Sequence, residues 1–249
     1  MSNPNRRHAL QTIAGSLALP LASQATSALA AKGAKKPIKV GQIGVGHAHA
    51  SKLSVFRDSP AYEVVGIVES DEKLRNEAKT KPVYQDLPWM TTEQLLNISD
   101  LELVLVETRV RNLLDTAELC INAGKHIHLD KPAGASLSQF RRILDNAKRQ
   151  QLLVQLGYMY RYNPGIVLLR EVLNQGWLGD PFEIHAVMSK VVNPNSRQRL
   201  GDFSGGTMFE LGCHLIDLVI GVMGTPDKVT PYPRQVITDD KLIDNMLAV

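Results

Sequence analysis

The stretch VGQIGVGHAHASK, Val40 to Lys52, constrains the fold of this chain more than any other. A short apolar run, Ile38–Ile43, meets Gly44-Val45-Gly46 where a strand would hand over to a helix, the setting a dinucleotide loop requires. Gly44 is expected to make the tight turn. Gly46 lacks a Cβ, which would let a pyrophosphate approach the backbone and the helix N-terminus. The third position of G-x-G-x-x-G is His49, so the motif taken alone is incomplete. His47 and His49 also form an H-x-H pair, which after a first strand can open a metal site. That reading needs further histidines and a late aspartate on the later strands of a barrel of about 250 residues. His126, His128, His185 and His214 do not fall in that order. No metal is therefore expected, and His47 and His49 are placed at the start of the helix, beside the cofactor.

Downstream, strand and helix signals alternate. Strands are expected at Ile38–Ile43, Glu63–Val68, Leu103–Val106, His126–Leu129 and Leu152–Leu156, all short apolar runs of the kind buried on both faces of a parallel sheet. Thr91 with Gln94 and Ser136 with Gln139 have capping-box spacing. Asn112–Ala123 reads as a helix closed by Gly124. Together these predict a doubly wound α/β domain over residues 38–156. Beyond Gly157 the pattern changes. A helix is expected from Pro164 to Gln175, then an alternating segment, Phe182–Met188, that reads as a half-buried antiparallel strand. An apolar helix, a Pro-rich loop (Thr225 to Pro233) and the terminal NMLAV follow. The last reads as a strand just starting, and a lone strand makes no sheet. Residues 157–249 are accordingly expected to be a partial second domain, truncated relative to the natural one.

The N-terminus carries Arg6-Arg7, an apolar run from Ile13 to Leu21, and Ala28-Leu29-Ala30. That order suits a twin-arginine export leader over residues 1–30, with a linker over 31–37 and a periplasmic or otherwise exported destination. The apolar run is too short to span a bilayer. The formal charge is +3, with Arg6 and Arg7 among its 28 basic residues, and no basic stripe suggests nucleic acid. Cys120 and Cys213 do not make a disulfide framework and are expected as free buried thiols.

Three groups of residues carry chemistry. Glu69 ends the second strand, about 25 residues past the first glycine, where a carboxylate binds the ribose hydroxyls of NAD and repels a 2′-phosphate. Lys73 and Arg75 keep NADP open. Asp130-Lys131-Pro132 falls at the C-terminal edge of a parallel strand, where open α/β sheets place ligands. Pro132 keeps the preceding residues extended, and a lysine there can lower the pKa of a substrate hydroxyl. In GGTMFELGCHLIDLVIGVMG an all-round apolar helix, expected to be buried, carries Glu210, His214 and Asp217 at i, i+4 and i+7. A carboxylate beside a histidine is the arrangement of a general base with its orienting partner.

With GQIGVGHAH, GKHIHLDKP, GYMYRYNP and GGTMFELGCHLIDL in that order, the chain resembles the Gfo/Idh/MocA oxidoreductases from about Ile38 onward. The resemblance implies a Rossmann domain followed by an α/β domain with an open antiparallel sheet, and NAD(P)-linked oxidation at a sugar or polyol carbon. By motif, the family's lysine falls on Lys131, its catalytic histidine on His214, the preceding carboxylate on Glu210 and its arginine on Arg161, which would meet substrate. Asp130 stands where the family has Glu, Glu210 where it has Asp, and ETRVRN (Glu107 to Asn112) where it commonly has T-P-N. On this reading Gly44, Gly46, His47, His49, Glu69, Asp130, Lys131 and Pro132 hold the cofactor, and Lys131, Arg161 and His214 meet a small sugar or polyol. A homo-oligomer is expected of the full-length form. Two alternatives stand beside it: an NAD-dependent glycosidase with no net redox change, and a nucleotide- or sugar-binding protein without turnover.

Overall fold

A computed structural model describes residues 36–249 apart from 202 and 204. The expected export leader and nearly all of the linker lie outside the described residues.

Six parallel strands form one sheet: β1 (Ile38–Ile43), β2 (Tyr62–Val68), β3 (Trp89–Met90), β4 (Leu101–Val106), β5 (His126–Leu129) and β6 (Val154–Leu156). Their spatial order is β3-β2-β1-β4-β5-β6, so the chain reverses direction between β1 and β4. At that switch point the carboxyl ends of β1 and β4 leave a crevice. The five expected strands are all present. The two-residue β3 was not foreseen, because two residues carry no period.

Short helices connect the strands: α1 (Leu53–Arg57), α2 (Glu72–Lys79), α3 (Thr92–Leu96), α4 (Leu113–Asn122) and α5 (Leu137–Arg149). Thr91 opens α3 with both halves of a capping box. Ser136 accepts the Gln139 amide at the start of α5, but the Gln139 side chain reaches Asp115 and Glu118 of α4 instead of returning to the cap. A helix–helix contact outcompetes the local one there. Two apolar clusters sandwich the sheet, one around Val104, Ile121, Ile127 and Ile143, the other around Val40, Leu53, Ile67 and Leu105. Cys120 lies in the first, and burial pushes its thiol up to about 12.

Beyond β6 come α6 (Pro164–Asn174), α7 (Pro194–Leu200), a π-helical turn (Met208–Gly212), α8 (Cys213–Met223) and a two-stranded antiparallel pair, β7 (Pro231–Arg234) with β8 (Asn245–Ala248). Three expectations need correction. Phe182–Met188 forms no strand: it pairs with nothing among the described residues, Phe182 is 92% exposed, and alternation alone cannot satisfy a strand's backbone groups. The terminal NMLAV does find a partner, in the loop read as irregular. Pro231 and Pro233 sit at alternate positions, which puts both missing N–H groups on one edge of the pair. Finally, α8 is not buried all round. His214 faces inward while Ile216, Ile220 and Met223 meet solvent, and Cys213 is only half-buried though its thiol is free. Among the described residues no helix is long and apolar enough to cross a membrane.

Candidate active site

The glycine loop is tied to both neighbouring strands. Gly44 donates its amide to Val68 O at 2.7 Å, and His47 donates to Glu107 O at 2.9 Å. Gly44 has φ +94°, and a Cβ there would stand 2.4 Å from the Thr108 backbone nitrogen, so turn and packing both demand glycine. Glu69 is at the loop, as expected of a ribose ligand. Its Oε2 accepts the Val45 amide at 2.9 Å and its Oε1 the Asp71 amide at 3.0 Å, leaving one lone pair on each oxygen. The amides of Gly46 and Ala48 have no acceptor among the described residues. Two free amides at the end of a strand, beside a residue without a side chain, suit a dinucleotide pyrophosphate. The space a Gly46 Cβ would take faces Arg109 Cγ at 2.9 Å, and Arg109 itself reaches Asp71 at 3.4 Å. This arginine, from the unusual ETRVRN loop, therefore overlies the glycine turn.

Asp130, Lys131 and Pro132 leave the end of β5 towards the same crevice, and the Lys131–Pro132 peptide is cis. Asp130 is buried, and its Oδ1 accepts the Lys131 amide at 2.7 Å. Around its carboxylate stand His47 Nδ1 at 3.2 Å, His49 Nδ1 at 3.2 Å and Lys52 Nζ at 2.5 Å. Burial opposes the Asp130 charge, but His47, His49 and Lys52 together hold its carboxyl well below the usual range. Lys52 also reaches His128 Nε2 at 2.7 Å and Glu107 Oε1 at 3.0 Å. An ammonium has no lone pair to offer, so His128 Nε2 is an acceptor and Nδ1–H donates to Gln155 Oε1 at 3.1 Å. Burial and the Lys52 charge both lower the His128 pKa, consistent with that neutral form. Burial, with Asp130 beside it, pushes the Glu107 carboxyl up to about 8 against the pull of Lys52.

The C-terminal half supplies the other wall. Lys131, only 3% exposed, donates Nζ to Glu210 O at 3.0 Å and lies 3.2 Å from Glu210 Oε1. Glu210 sits in the π-helical turn, whose extra residue per turn moves it out of helical phase with His214. It was expected to orient the histidine; its carboxylate rests on the lysine instead. His214 is 4% exposed, and its Nδ1 is buried without a hydrogen-bond partner among the described residues. Burial, and then the Lys131 ammonium, lower its pKa, so the ring is held neutral. Asp217, the third member of the stripe, is clamped by Arg161: Nη2 to Oδ1 at 2.6 Å and Nε to Oδ2 at 3.0 Å. Through Nε and Nη2, Arg161 thus fastens the segment after β6 to α8.

The structure therefore sets Glu210 on Lys131 and places buried His214 within reach of both charges, with the His47–His49 end of the glycine loop against Asp130. Sequence reasoning missed Lys52, Glu107 and His128, and also Tyr158 and Tyr160, whose rings stand 6.2 Å and 5.8 Å from the His214 ring. Glu107 had a legible signal, a carboxylate directly after the apolar LELVLV. The others had none, because only the sheet order brings them together.

Comparison with known proteins agrees with this geometry. Residues 38–158 match the family model described as an oxidoreductase family with an NAD-binding Rossmann fold, and residues 166–249 match the GFO/IDH/MocA C-terminal domain. The chain is 26% identical over 209 residues to scyllo-inositol 2-dehydrogenase (NADP(+)) IolW of Bacillus subtilis, covering 80% of this chain and 56% of that protein. It is 26% identical over 178 residues to the trans-1,2-dihydrobenzene-1,2-diol dehydrogenase of Bos taurus, covering 70% and 52%. The chain spans about half the length of the curated relatives it matches. Among solved structures, the NAD-binding protein from Listeria innocua superposes with a TM-score of 0.70 at 20% identity, over 86% of this chain and 63% of that one, and shares the fold. With both of its parts matched and a dinucleotide loop at the switch point of its sheet, the chain belongs to the NAD-binding Gfo/Idh/MocA oxidoreductase family.

Proposed function

We propose that this protein oxidises a secondary alcohol of a sugar or polyol, using a nicotinamide dinucleotide held against the glycine loop. The observation that carries the reading is the pairing of a buried lysine at the end of β5 with the Glu210–His214 segment, 79 residues away, across the switch-point crevice. The names of two relatives, an inositol dehydrogenase and a diol dehydrogenase, support a ring carbon bearing a hydroxyl beside another hydroxyl.

In this mechanism, the Gly46 and Ala48 amides bind the pyrophosphate and Glu69 the ribose hydroxyls. A nicotinamide dinucleotide held there would supply the hydride acceptor for the substrate carbon. Neutral His214 takes the hydroxyl proton, and its lowered pKa keeps the base form populated at neutral pH. Lys131 stabilises the developing alkoxide, turning towards it from Glu210. Glu210 keeps the lysine aimed until substrate arrives, and Arg161 with Asp217 holds the tyrosine-bearing segment beside His214.

The test is a panel of cyclic polyols and sugars with NAD and NADP, followed by absorbance of the reduced nicotinamide. Stoichiometric reduction supports the proposal. Release of a chromogenic aglycone without net reduction would assign the redox-neutral glycosidase reaction instead. Saturable nucleotide binding with neither signal would leave a binding protein. Because a base must be unprotonated, kcat/KM should fall on the acid side with an apparent pKa below the ordinary imidazole value of about 6.5. An acid limb above that value would exclude His214 as the base. Export by the twin-arginine route belongs to the same proposal and is checked by fractionation of cells with and without Arg6→Lys and Arg7→Lys.

A further inference from the structure

The cluster on the other side of Asp130 has no role in the hydride chemistry, yet it is the most highly charged interior region of the described residues. Lys52 saturates part of it: three N–H groups face Asp130 Oδ2, His128 Nε2 and Glu107 Oε1. What the ammonium does not serve is the pair of imidazoles from the H-x-H segment. His47 Nε2 lies 3.1 Å from the Lys131 carbonyl, which can only accept, so that nitrogen carries the proton and Nδ1 is a lone pair. The His49 amide, which donates to Nδ1 at 3.2 Å, agrees with this tautomer. The same nitrogen lies 3.2 Å from Asp130 Oδ2 and 3.7 Å from Glu107 Oε2. Glu107 is fully buried and neither of its oxygens receives a well-formed hydrogen bond, although Lys52 is near. Two carboxyl groups and two imidazoles of this cluster thus stand around one ammonium.

We propose that His47 Nδ1, His49 Nδ1 and Asp130 form a binding site for a divalent first-row metal ion, with zinc(II) the reference case. The three ligand atoms lie within 4.8 Å of one another, and both nitrogens stand 3.2 Å from Asp130 Oδ2. Ligands at tetrahedral zinc distances are ~3.3 Å apart, so the two nitrogen–oxygen edges of the site already have nearly the right length. The outer partners are in place as well. A ligating histidine characteristically gives its other N–H to a carbonyl, as His47 does to Lys131, and a ligating carboxylate is itself hydrogen-bonded, as Asp130 is by the Lys131 amide. Without metal, His49 Nδ1–H donates to Asp130; with an ion on Nδ1 the neutral ring carries its single proton on Nε2 instead. The His49 side chain is 49% exposed, which gives the ion an entry path and a fourth position open to water. An ion there would brace the glycine loop against the β5 end that carries Lys131. The H-x-H pair was set aside at the sequence level because no later strand supplied a partner in barrel order. The 3-2-1-4-5-6 sheet supplies one, by bringing Asp130 across from β5.

The test needs no turnover. Cobalt(II) is titrated into the full chain without nucleotide and followed by its visible d–d absorption, with zinc(II) as competitor. One equivalent should bind, give the intense bands of a four-coordinate site, and be displaced by zinc. His49→Ala, at a half-exposed position, should keep the far-ultraviolet circular dichroism of the parent and weaken cobalt binding by about 100-fold or more, since even outer partners of a metal site carry 10–100-fold. His185→Ala, at an exposed histidine outside the cluster, should change nothing. The absence of saturable cobalt and zinc binding, or equal binding by His49→Ala and the parent, would overturn the site. Nicotinamide reduction is measured separately, so a failure here leaves the proposed reaction untouched, and the reverse.

Discussion

Residues 38–156 and residues 164–249 follow the same propensities and reach different ends. In the first region every expected strand forms, and the sheet lies between two apolar clusters. In the second, Leu242 is the single fully covered hydrophobic residue among those described, while Phe182 and Val191, at 92% and 99% exposure, meet solvent. The alternating pattern in Phe182–Met188 is as regular as that of any strand. What it lacks is a neighbour for its amides and a surface for its side chains. Periodicity proposes an element; burial and pairing decide whether it exists.

The contrast can be broken at four places. The largest effect should come where the two regions meet. His214→Ala is expected to lower turnover by about 10²–10⁴-fold, the scale of general-base catalysis, while nucleotide affinity stays near the parent value. Unchanged turnover would separate the C-terminal region from the chemistry altogether. Next comes Leu105→Ala, which empties a fully buried position on the central β4 and should cost about 2–5 kcal/mol in urea unfolding. A loss under 1 kcal/mol would mean that the first region is as loosely packed as the second. Thr91→Ala removes one half of a complete capping box and should cost about 1 kcal/mol, with Thr91→Asn restoring most of it. The smallest effect is expected at Phe182→Ser, within about 0.5 kcal/mol of the parent, as at other exposed positions. A clearly larger destabilisation would show that something covers Phe182 in solution.

Legibility followed the range of the interactions. The Thr91–Gln94 box, the Gly44 turn and the β1, β4 and β5 runs depend on residues within a few positions of each other, and each could be read directly. The site was legible in its members and less so in its pairings. Lys131, Glu210 and His214 were singled out, but Glu210 was assigned to His214 and lies on Lys131. The π-helical turn changes the phase of that stripe, and a helical wheel assumes a constant one. Arg161 was expected at substrate, and the structure pairs its Nε and Nη2 with Asp217, a pairing between residues 56 apart that no local pattern encodes.

By itself, the sequence determined the doubly wound domain, the place of the glycine loop and the choice of Lys131, Glu210 and His214 as candidates. These rest on period, on turn chemistry and on motifs that specify residue types at short spacing. The tertiary structure alone decided which charge answers which. It set Glu210 against Lys131, drew Lys52, Glu107 and His128 around Asp130, and carried Asp130 to the H-x-H pair. The physical reason is that a charge interacts through space and not along the chain. Its partner is chosen by strand order and by the low-dielectric interior that order creates, and neither exists until the sheet has formed.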